Sequence, residues 1–116
     1  MSTESPPFGV RARSVERAHV VSPCGELDLF TVAELREVLA ERPEACDVVV
    51  LDLSELTFFD TSGMRLVVET LQDLRTAGIR FAIVRGSPDV QRLFAIARME
   101  DRLPFFDDLD AALAAA

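Results

Sequence analysis

An α/β fold, with a small mixed four- or five-stranded sheet packed by about four helices, is predicted by three features of this sequence. Val48-Val49-Val50-Leu51-Asp52-Leu53 and Ile79-Arg80-Phe81-Ala82-Ile83-Val84 are short apolar, β-branched runs, the composition of strands buried on both faces. Between them Met64, Val67, Val68, Leu71 and Leu74 recur at helical spacing, so strand, helix and strand follow one another as in a crossover between parallel strands. Helix punctuation stands at the junctions: Asp60 before the stripe, Gly78 after it, and Ser87-Pro88 before the next apolar periodicity.

Taken in order, residues 1–7 are small, polar and Pro-rich and read as a flexible lead-in, leaving 8–116 as a single domain. Phe8 to about Val15 supplies a short edge strand, and Ala18 to Cys24, carrying His19-Val20-Val21, a second one that stops around Pro23-Cys24-Gly25. Thr31 followed by Glu34 has the form of a capping box, and Val32, Leu35, Val38 and Leu39 continue it as a helix to about Glu41, before Pro43. The run from Val48 is the expected central strand, parallel to at least one neighbour. Gly78 closes the second helix with a positive φ, and Ser87-Pro88 opens a third whose Val90, Leu93, Phe94 and Ala97 share a face. After Pro104, Phe105-Phe106 adds a very short strand, and Asp107 or Asp108 caps a terminal helix containing Leu109, Ala112 and Leu113.

Composition narrows the function. The 116 residues are 49% hydrophobic, enough for a core without disulfides or a structural metal. A net charge of −8 with no Lys/Arg stripe disfavours direct binding to nucleic acid or anionic lipid and favours a protein or small-molecule partner. Cys24 and Cys46 lack companion Cys or His residues and read as buried thiols in a reducing compartment. Neither a basic, apolar leader nor a run of the roughly 20 apolar residues that span a bilayer is present, so a cytoplasmic location without membrane insertion is expected.

The segment Phe58-Phe59-Asp60-Thr61-Ser62-Gly63 places two hydroxyls where a helix begins. With Asp60 as N-cap, Thr61 and Ser62 fall in the first turn, where free backbone N–H groups can meet phosphate oxygens, and Gly63 permits close approach by another molecule. A plain strand-to-helix turn, with Asp capping, the hydroxyls bonded locally and Gly easing crowding, accounts for the same residues. Catalysis by the chain itself is not expected. The lone His19 reads as a strand residue, Asp28, Asp52 and Asp60 fit strand-end and cap roles, and no Gly-rich or Lys-containing phosphate loop calls for a cofactor.

Gly25-Glu26-Leu27-Asp28, Val49-Val50-Leu51-Asp52-Leu53-Ser54, the segment Phe58 to Gly63, and Val90-Gln91-Arg92-Leu93-Phe94 together resemble the STAS family, and within it the stand-alone bacterial anti-sigma factor antagonists. The resemblance implies a protein that binds a serine-kinase anti-sigma factor when unphosphorylated, is released by phosphorylation, and is restored by a metal-dependent serine phosphatase, with ATP and Mg²⁺ belonging to the kinase. The implied phosphoacceptor is Ser62, with Thr61 the second choice. The implied partner-binding set is Asp28, Asp60, Thr61, Ser62, Gly63, Met64 and Arg65. Arg65 departs from the family pattern of an apolar and then a small residue after the motif glycine, and a solvated helix Arg is its plain reading. Two other roles stay open here: a stressosome-like partner-switching regulator, and a STAS subunit of a membrane transport system that binds its ATPase.

Overall fold

In the computed structural model, which describes residues 7–115, the chain runs β1 (Gly9–Val15), β2 (Ala18–Leu27), α1 (Val32–Ala40), β3 (Val48–Asp52), β4 (Leu56–Phe59), α2 (Thr61–Ala77), β5 (Arg80–Val84), α3 (Pro88–Ile96), β6 (Phe105–Phe106) and α4 (Leu109–Ala114). The expected lead-in lies outside the described residues except for Pro7, which is exposed. The strand order is β1-β2-β3-β5-β6, with β4 joined to β2 off this path. Only β1 is antiparallel to its neighbour, and β3 is parallel to both β2 and β5.

Six strands replace the expected four or five, and β4 accounts for the difference. β2 does not stop at Pro23-Cys24-Gly25. Its parallel ladder with β3 ends at Val21, a second with β4 begins at Gly25, and Pro23 lies in the gap between them. Gly25 takes φ 86° next to a register shift between Gly25 and Glu26, a backbone that costs little without a Cβ. One long strand thus serves two partners in succession.

Alternation along the strands sorts the core into two layers. Val21, Val49, Leu51, Phe81 and Ile83 face a cluster built with Leu35 and Leu39 of α1, Leu66, Val67 and Leu74 of α2, and Val90 and Phe94 of α3. Val20, Val48, Val50, Ala82 and Val84 face the opposite layer, closed by Ala112 of α4. The α2 stripe is rotated slightly from the sequence expectation. Leu66 and Thr70 are fully inside, whereas Met64 and Leu71 are only partly buried against the cluster. Thr70 tolerates burial because its hydroxyl donates to the Leu66 carbonyl at 2.7 Å.

Helix punctuation behaves as expected at three starts: Asp60, Ser87 and Asp108 accept backbone N–H bonds at the heads of α2, α3 and α4. Gly78, at φ 73°, ends α2. At α1 the expected capping box does not form, because Thr31 makes no side-chain cap bond. Its hydroxyl instead donates to the Glu26 carbonyl and accepts from the Asp28 N–H, both at 2.9 Å.

Candidate functional site

The parallel pairing of β2 with β4 brings Leu27 beside Phe59, so the loops leaving both strands start side by side, about 4.8 Å apart. The Asp28 loop and the Asp60 cap are therefore neighbours at one end of the sheet. A single device closes three successive strands there. Asp28 Oδ1 accepts from the Phe30 N–H at 2.9 Å, Asp52 Oδ1 from the Ser54 N–H at 3.0 Å, and Asp60 Oδ1 from the Ser62 N–H at 2.9 Å. Each carboxylate folds its own turn, the role the sequence assigned them.

Asp60 Oδ1 also accepts from the Gly63 N–H at 3.4 Å, and the Met64 N–H bonds to the Asp60 carbonyl at 3.1 Å. The first-turn amides of Ser62 and Gly63 are thus already occupied by the cap, as in the plain strand-to-helix turn, and are not free to meet phosphate oxygens. Thr61 is exposed and Ser62 half-buried, leaving the hydroxyls at the molecular edge.

Gly63 follows the turn reading, in which the glycine eases crowding, and not the reading of an opening for another molecule. It is buried, and a Cβ there would stand 2.6 Å from Phe59 Cε1 and 2.9 Å from Leu27 Cδ2. The missing side chain makes room for the protein's own interior, not for a visiting molecule. Met64 is partly buried against the core, and Arg65 is exposed with no ion pair among the described residues. Of the seven residues expected to meet a partner, the structure gathers Asp28 and the run 60–65 at one end and removes Gly63 from the surface.

No imidazole stands near Ser62 to activate it. His19 lies near the start of β2, roughly 25 Å along the strand from Leu27. It is buried, and its Nε2–H donates to the Val38 carbonyl at 3.0 Å. Asp47, held below its ordinary carboxylate range chiefly by a hydrogen bond from Arg17, sits just before β3, also at the far end of the sheet.

Two residues of this end were missed from sequence. Leu29 is 71% exposed and Phe30 91%, between the hydrogen-bonded Asp28 and Thr31. The available signal was a pair of large apolar residues belonging to neither the strand nor the helix periodicity beside it.

A family model for the STAS domain matches residues 10–112. The anti-sigma-B factor antagonist of Staphylococcus aureus strain NCTC 8325 / PS 47 is 30% identical over 95 residues, covering 81% of this chain and 88% of that protein. In fold, an anti-sigma factor antagonist from Mycobacterium paratuberculosis superimposes with a TM-score of 0.85 at 24% identity, covering 94% of this chain and 93% of the other. The Bacillus cell fate determinant SpoIIAA in its phosphorylated form gives 0.71 at 21% identity, covering 93% of this chain and 100% of the other.

Proposed function

The chain belongs to the STAS domain family, and from that membership we propose that it is an anti-sigma factor antagonist switched by phosphorylation of Ser62. Unphosphorylated, it binds a serine-kinase anti-sigma factor in the cytoplasm and so frees a sigma factor for transcription. The single observation that carries this reading is the Ser62 hydroxyl, half-buried at the head of a helix capped by Asp60, in a chain related to an anti-sigma-B factor antagonist. Among the described residues no helix is long and apolar enough to cross a membrane.

In the proposed transfer, Ser62 Oγ bonds to the γ-phosphorus of ATP held by the kinase, the bond to the ADP oxygen breaks, and the hydroxyl proton passes to a base of the kinase. The chain supplies only a positioned acceptor. Afterwards the phosphate carries about −1.5 to −2 charges. It stands beside the Asp60 carboxylate and beside amides that this carboxylate already occupies. The helix dipole offsets part of the repulsion, but a hydrated dianion inside the interface still favours release of the partner. A metal-dependent serine phosphatase reverses the change.

The test is to incubate the chain with ATP and each serine-kinase anti-sigma factor of its source bacterium, then measure intact mass and map the site. One phosphate on Ser62, and none on Ser62→Ala, is expected. Modification of neither Ser62 nor Thr61 by any of these kinases contradicts the proposal, and modification at Thr61 alone moves the acceptor.

A further inference from the structure

We infer that Leu29 and Phe30 are the apolar anchor of the partner complex, seated in a nonpolar pocket of the same kinase that phosphorylates Ser62. The inference rests on the reading of Ser62 as phosphoacceptor and adds which residues hold the partner and what chemistry receives them.

A single exposed apolar side chain is ordinary, but here two consecutive ones are 71% and 91% exposed. Their backbone is also tied by hydrogen bonds. Asp28 Oδ1 takes the N–H groups of Phe30 and Thr31 at 2.9 and 3.2 Å, and the Thr31 hydroxyl ties the Asp28 N–H to the Glu26 carbonyl. Asp28 and Thr31 thus form a reciprocal capping box, and with the Val32 N–H bonded to the Asp28 carbonyl at 3.0 Å they fix Leu29 and Phe30 in a helical turn leading into α1. A backbone already fixed loses little freedom on binding, which is what an interface anchor requires.

Position identifies the occupant. The loop leaves β2 beside the point where β4 delivers Asp60, with Leu27 opposite Phe59. A protein interface covers about 800 Å² on each partner, a patch roughly 30 Å across, whereas neighbouring strands are about 4.8 Å apart. A kinase whose active site reaches Ser62 therefore covers this loop as well. Charge gives the rim of its pocket. Glu34 and Glu37 are exposed on α1 directly after the loop and Arg36 between them is engaged by Glu69 at 2.7 Å, so the α1 side of the loop is acidic, whereas the exposed Arg65 marks the α2 side. An apolar pocket with basic residues on the edge that faces α1 complements this surface.

The test measures affinity, without nucleotide, for the serine-kinase anti-sigma factor that modifies Ser62. Phe30→Ser is expected to weaken binding about 30-fold, the scale of an interface hot spot, and Leu29→Ser by a smaller factor. Phe30→Leu should retain most of the affinity. Ile96→Ser is the control: this equally exposed apolar residue ends α3, about 12 Å from the head of that helix, and should bind like wild type. Unchanged thermal melts are expected for all four variants. Wild-type affinity in both Phe30→Ser and Leu29→Ser overturns the anchor while leaving Ser62 as acceptor. Failure of the wild-type chain to bind any such kinase overturns the acceptor reading and the anchor with it.

Discussion

Asp60 and Gly63 stand three positions apart in one motif and act on opposite sides of the chain. Asp60 faces outward and binds the first-turn amides, so Asp60→Ala should destabilise the protein by about 1 kcal/mol while Asp60→Asn, an equally good cap, stays within a few tenths. Denaturant midpoints of the two variants separate the cap from the charge. Asp60→Asn should also reduce the effect of Ser62 phosphorylation on partner binding, because it removes the nearest negative charge. Gly63 faces inward against Phe59 and Leu27, and Gly63→Ala should cost about 1–3 kcal/mol, as overpacking does. A stability equal to wild type would mean that the interior yields easily. The cap was legible in the sequence because Asp before a helical stripe has few other uses. For Gly63 the sequence left two readings, relief of crowding or access for another molecule, and the choice depends on what β2 and β4 place beneath the helix.

At the scale of elements, periodicity located the central strands and all four helices, because each carries its own apolar pattern. The divided strand β2 escaped that logic. Pro23 and Gly25 are ordinary stop signals, and they are tolerated here only because the strand changes partners between Val21 and Gly25. Recognising this required knowing where β4 lies, and Leu56–Phe59 is too short to declare itself beside the motif that follows. Gly78 is the contrasting case, a local signal realised as read. It adopts φ 73° with nothing within 4 Å of an added Cβ, so Gly78→Ala should cost about 1 kcal/mol from backbone strain alone. A Gly78→Asn variant should lose less, and equal midpoints for Ala, Asn and wild type would argue against the left-handed cap.

Across the whole molecule, the topology gathers the loops after β2 and β4 at one end of the sheet, and that is where the residues read as partner-binding converge. The convergence was visible in sequence only through family resemblance, since Asp28 and Asp60 lie 32 positions apart, and nothing in their local chemistry joins them. Leu29 and Phe30 stayed hidden for a related reason: exposure is a property of the folded surface, and an apolar pair reads as core until the layers are assembled. The arrangement also separates the proposed phosphoacceptor from the scaffold. Ser62 sits at a helix head outside both buried clusters, so its phosphorylation should leave the far-ultraviolet circular dichroism spectrum unchanged.

The most direct test of the proposed switch is calorimetric titration of the proposed partner, a serine-kinase anti-sigma factor, with the unphosphorylated chain and with the chain stoichiometrically phosphorylated on Ser62. The expected result is binding by the first and a loss of about 100-fold in affinity for the second, the scale of like charges brought into an interface, with both forms fully folded. Equal affinity for the two forms would contradict a phosphorylation switch at Ser62.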